Sequence, residues 1–85
     1  MNLQVINTGL SSLYNNISKG STLMPIKHIK QYMFELCECH DMTQQQKDIL
    51  SSMLNIVSLY LKDKNTYEAM QATNRCMAYV ADLLS

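Results

Sequence analysis

Leu3, Ile6, Leu10, Leu13 and Ile17 follow one another at alternating steps of three and four, which places them on one stripe of an amphipathic helix that needs a neighbour to cover it. Lys19 and Gly20 end the pattern. Glycine takes the left-handed conformation past a helix C-terminus without steric penalty, and lysine suits the negative end of the helix dipole. Helix 1 is therefore expected over about residues 2–19.

After a loop through Ser21 and Thr22, Pro25 marks a second start, since a proline at the first helical position loses an N–H that would be unpaired anyway. Ile26, Ile29, Met33, Leu36 and Cys37 make the buried stripe, Tyr32 flanks it, and His40 and Asp41 mark the end, giving helix 2 over about 25–40. Thr43 with Gln46 three residues later fits a capping box, in which each side chain satisfies the other residue's free N–H. Helix 3, about 43–62, carries Ile49, Leu50, Met53, Leu54, Ile56, Val57, Leu59, Tyr60 and Leu61, an apolar arc too wide for one contact. So wide an arc predicts the central helix. Lys62 to Asn65 break the pattern, Asn65 with Glu68 repeats the cap signature, and helix 4 follows over about 66–84. Met70, Met77 and Leu84 recur along it every seven residues, with Cys76, Val80 and Leu83 beside them, while Gln71, Asn74, Arg75 and Asp82 are expected to face water.

Strand alternation and internal repeats are absent, so the pattern predicts an all-α fold: one domain over 1–85, a small antiparallel bundle of about four helices. An 85-residue chain sits near the lower limit of what one unstapled core can stabilise. A two-faced helix 3 would expose more apolar area than such a chain buries alone, which predicts a homodimer.

The formal net charge is zero, but it is unevenly spread. Met1 to Phe34 contain three lysines (Lys19, Lys27, Lys30) and no acid, whereas Glu35 to Ser85 contain four basic and seven acidic side chains. The two halves should attract each other, within one chain or between two. Helix 2 has its charges reversed with respect to its own dipole, Lys27 and Lys30 near the positive end and Glu35 and Glu38 near the negative end. Each such placement costs a few tenths of a kcal/mol, on the order of 0.3, so some other contact should compensate. Apolar runs are interrupted too often for a membrane span, and the N-terminus lacks the basic and apolar regions of a secretory signal. Three cysteines do not suggest a disulfide framework, and reduced thiols in a cytoplasm are the expectation.

Candidate chemistry is sparse. Cys37-Glu38-Cys39-His40, with His28 as a distant fourth ligand, is the only sequence that suggests a metal. Its spacing is wrong for structural zinc, and on a helix the two thiols would point about 200° apart. Cys37 is expected in the core, and Cys39 on the opposite face as the accessible thiol. A nucleophile with a base, paired carboxylates or a glycine-rich phosphate loop is not found at usable spacing, and Gly9 and Gly20 stand alone. Neither an enzyme nor a bound cofactor is expected. Lys19, Lys27, His28 and Lys30 bracket the start of helix 2 and could meet phosphate, but so few groups favour an edge that faces an acidic protein surface over nucleic acid. Of the seven methionines, Met33, Met53, Met70 and Met77 fall on buried stripes, which leaves Met24 and Met42 at helix entrances. The candidate partner-binding residues are thus Lys19, Met24, Lys27, His28 and Lys30.

From about Leu10 to Asp63 the order of features resembles the YmgB/AriR family of small enterobacterial biofilm and acid-resistance regulators, also described as connectors of two-component signalling. The resembling pieces are a first helix ending in a glycine-containing loop, Lys27-His28-Ile29 leading to Leu36-Cys37-Glu38, then Asp48-Ile49-Leu50 and Leu54-Asn55-Ile56-Val57 closing with Tyr60 and Asp63. Helix 4 has no counterpart in that pattern, and the polar N-terminal extension that precedes the family's first helix is not found in this sequence. The resemblance implies a cytoplasmic, dimeric helical regulator that binds a response regulator, with some DNA association. Two functions follow as expectations: a regulatory adaptor presenting a basic edge to a response regulator or transcription factor, or a small helical chaperone or assembly subunit for a secreted, structural or phage protein.

Overall fold

A computed structural model describes residues 2–20 and 23–85, without the side chain of Leu23. The predicted loop residues Ser21 and Thr22, together with Met1, lie outside the described residues. Four helices follow in order: α1 (Leu3–Ser18), α2 (Leu23–Leu36), α3 (Gln44–Lys62) and α4 (Thr66–Leu84). Each packs on its neighbour in the chain, and α1 closes the ring against α4, while the diagonal pairs α1–α3 and α2–α4 make no close approach among the described residues. Tyr32, late in α2, reaches Gly9 in the first half of α1, and Lys47 at the start of α3 reaches Cys37 beyond the end of α2. Successive helices therefore run antiparallel, in a bundle measuring 33 × 22 × 17 Å. Among the described residues no helix is long and apolar enough to cross a membrane.

The helix ends show why the chain breaks where it does. Asn2 caps α1 by accepting from Val5 N (3.0 Å), and Asp41 Oδ2 accepts from Leu3 N (3.3 Å), so a carboxylate joins the cap at the positive end of that helix. The predicted capping box is present: Gln46 N donates to Thr43 Oγ1 (3.2 Å) and Thr43 N to Gln46 Oε1 (2.9 Å). Asn65 caps α4 through Glu68 N (3.3 Å). Gly20 lies past the end of α1 with φ +87°, as expected. Lys64 takes the same left-handed conformation (φ 58°) beyond α3. Its N–H donates to Leu61 O (3.0 Å) and that of Asn65 to Tyr60 O (2.9 Å), the paired bonds of a Schellman ending that turns the chain directly into α4.

The core joins all four helices. Leu3, Ile6, Leu10, Leu13 and Ile17 are all buried, as their spacing predicts. Three expectations are corrected. First, α2 starts at Leu23 and stops at Leu36 instead of spanning 25–40. Pro25 is its third residue, still within the turn whose N–H groups have no partner inside the helix. Beyond Leu36 the bonds shorten to three-residue turns, Cys37 N to Phe34 O and Cys39 N to Leu36 O. The helical phase is lost there, so Cys39 turns into the core and Cys37 is exposed, the reverse of the expected placement. Second, helix 3 is not central: in the ring of four the most densely packed helix is α4, which packs extensively on both α1 and α3. Its buried face is Ala69, Ala72, Thr73, Cys76 and Val80, small side chains that let two neighbours come close, whereas Leu84 is exposed. Third, α3 is not enclosed: Leu50, Leu54, Val57 and Leu61 are buried, but Ile49, Ile56 and Leu59 face outward.

Candidate functional site

The partner-binding candidates divide on folding. Met24, Lys27 and Lys30 all lie on the outer face of α2 and are exposed, Met24 at 51%. Phe34, the only phenylalanine of the chain, continues that face at 74% exposure. Spacing of three, three and four along a helix puts these four side chains on one outward patch, with Gln31 beside them. A helical wheel with Ile29 and Leu36 turned inward marks Phe34 as outward, a signal already carried by the stripe of this helix.

Lys19 is exposed at the C-cap of α1, across the connection from α2. His28 is set apart from the patch: it is half-buried beside Tyr32, ring centroids 6.3 Å apart, with Nδ1 enclosed and unpaired. Met42, the other methionine set aside as a contact residue, is buried.

Neither lysine of the patch has an acid three or four positions away on α2, the spacing at which helix side chains pair. Among the described residues no lysine or arginine nitrogen comes within 4.0 Å of a carboxylate oxygen, so the attraction between the basic and acidic halves is not realised as ion pairs inside one molecule. The reversed charges of α2 also stay uncompensated: Glu35 accepts from Gln31 Nε2 (3.3 Å), and its first turn holds no acid and its last turn no base.

Two open grooves lie elsewhere. One, of about 280 Å³, runs between α3 and α4 and is lined by Met53, Ile56, Tyr60, Ala72 and Arg75. The other, of about 460 Å³, separates α1 from α2 and is lined chiefly by Gln4, Val5, Thr8, Tyr32 and Glu35. Tyr32 bounds it, donating its hydroxyl to Gly9 O (3.2 Å); burial first, and the Glu35 carboxylate second, push its phenol above the usual range. Among the described residues no three His, Cys, Asp or Glu side chains gather as a metal site. Neither a protein family nor a curated protein nor a solved structure matches the chain. The class that fold and surface define is thus a small all-α bundle with one basic-aromatic face and one apolar face.

Proposed function

We infer that this chain is a non-enzymatic regulatory adaptor, active as a cytoplasmic homodimer, that binds an acidic protein surface with the outer face of α2. The observation that carries it is the placement of Met24, Lys27, Lys30 and Phe34 on one exposed face, with no acid three or four positions from either lysine on the helix. An exposed aromatic between cations suits a protein interface: the ring supplies a desolvated anchor and the lysines supply orientation and encounter rate. A response regulator is the partner that the family resemblance implies, and a transcription factor is the other acidic regulator such an adaptor would serve.

The test is affinity co-purification from native cells with quantitative mass spectrometry, comparing the wild type with Lys27→Glu/Lys30→Glu and with Phe34→Ala. Stoichiometric recovery of a response regulator or transcription factor, lost in both variants, supports the adaptor. Recovery of a secreted or assembly protein instead would replace it with the chaperone function. A partner retained equally by all three proteins removes α2 from the site.

A further inference from the structure

Ile49, Ile56 and Leu59 are 40%, 46% and 55% exposed on α3, with Met53 and Tyr60 half-buried between them in the wall of the α3/α4 groove. From Ile49 to Leu61 the chain carries no charged side chain, and the polar residues interleaved on the outward side, Ser52 and Asn55, are small. Along the chain charges return at the two ends, Asp48 on one side and Lys62, Asp63 and Lys64 on the other, and Arg75 of α4 borders the groove from the side. An apolar centre depleted of charge within a charged rim is the composition of an interface core, not of a solvated helix face.

The rim also indicates what covers that centre. Asp48 lies eight residues before Ile56, about 12 Å along α3, and Lys64 stands eight residues after it, in the left-handed turn just past the C-terminal end of the helix. When two copies of α3 pair antiparallel about a two-fold axis at Ile56, the N-terminal end of each α3, with Asp48, comes to the C-terminal end of the other, with Lys64, and Met53 meets Leu59. The same patch then serves both subunits, as an isologous contact requires. Length fits as well: the 19 residues of α3 extend about 28 Å, most of the 33 Å long axis of the molecule. We propose that the exposed face of α3 is the homodimer interface, its occupant a second copy of this chain paired antiparallel about Ile56. This rests on the homodimer of the adaptor hypothesis but not on its acidic partner, which uses a different helix.

Sedimentation equilibrium over a concentration series tests it. Wild type should be a dimer. Ile56→Asp and Leu59→Asp, at positions already half in solvent, should keep their helical circular dichroism and raise the dissociation constant about 100-fold or more. If either fails to fold, the charge variants still decide: Asp48→Lys and Lys64→Asp should each weaken association about two- to fivefold, and together restore it, because only an antiparallel two-fold re-pairs the exchanged charges. A wild type that is monomeric at 100 µM, roughly the range of weak complexes, would sink the homodimer itself while leaving partner capture by α2 to stand. A dimer indifferent to Ile56→Asp and Leu59→Asp but broken by Lys27→Glu/Lys30→Glu would place the interface on α2 and overturn the assignment. A dimer lost in the single charge variants and not recovered in the double would overturn the antiparallel register.

Discussion

Gly9 shows how much one position decides. It lies in the interior of α1, where glycine is about 0.8–1 kcal/mol worse than alanine, yet a Cβ there would stand 2.8 Å from the Tyr32 hydroxyl and 2.9 Å from its ring. The residue lets α2 lay an aromatic ring against the α1 backbone and donate to its carbonyl. Gly9→Ala is therefore expected to destabilise by about 1–3 kcal/mol through overpacking, even though it improves helix propensity. In a Tyr32→Ala background the obstruction is gone, and the same substitution should become neutral or stabilising by up to about 1 kcal/mol. Chemical denaturation of the four proteins gives the coupling; equal costs in both backgrounds would show that the contact is not what fixes glycine there. The sequence does signal this, since an isolated glycine inside a helical pattern marks a close approach, but which side chain approaches depends on the pairing of α1 with α2.

Among the elements, α2 is held least. Its packing on both α1 and α3 is sparser than that of α4 on its neighbours. Its charges oppose its dipole, and it ends in three-residue turns instead of a capped terminus. Amide hydrogen exchange should therefore open α2 before the rest: the N–H groups of Ile29–Leu36 should exchange faster than those of Ala72–Val80 by an order of magnitude or more, about 1.4 kcal/mol or greater in opening free energy. Equal protection would mean that the bundle opens only as a whole. Lys27→Glu/Lys30→Glu should leave the exchange of α2 within a few-fold of wild type, because both side chains are exposed and lie beyond the first turn of the helix, where the dipole acts, so loss of partner binding in that variant would not be a loss of structure. Elements of this kind were legible unequally. The stripe of α1 and the cap of α3 could be read because period and cap chemistry are local. The end of α2 could not, because Glu38 to His40 contain no glycine or proline to show that the helical phase stops at Leu36. Nor could the dense packing of α4: hydrophobicity favours the leucines of α3, whereas close packing favours Ala69, Ala72 and Cys76, which are small. The candidate site was legible as a cluster of lysines, but the outward direction of Phe34 follows only once the face opposite Ile29 and Leu36 is fixed.

For the whole molecule, the junction of α4 with its two neighbours makes stability depend on pH through a thiol. Cys76 is fully buried on the face that α4 turns to the core. Burial raises its thiol from the ordinary 9.0 to about 12, against smaller lowering contributions from a backbone hydrogen bond and the Arg75 charge. The folded chain thus holds a proton that the unfolded chain releases. Below pH 9 both states are protonated and the contribution is fully present; as pH rises from about 9 towards 12 the unfolded state ionises first, and stability falls by at most about 1.4 kcal/mol per pH unit for this one group. Thermal or urea unfolding at pH 7.5, 9 and 10.5 should show a decline that begins near pH 9. Tyr32, whose phenol is also raised, adds a loss of the same sign that starts near its ordinary value of 10.0, so Tyr32→Phe separates the two. Cys76→Ala should lower stability at pH 7.5 by leaving a small cavity but flatten the decline between pH 9 and 10. A decline as steep in Cys76→Ala as in the wild type would show that the alkaline loss comes from surface charge, and that the junction of α1, α3 and α4 admits enough water to solvate a thiolate.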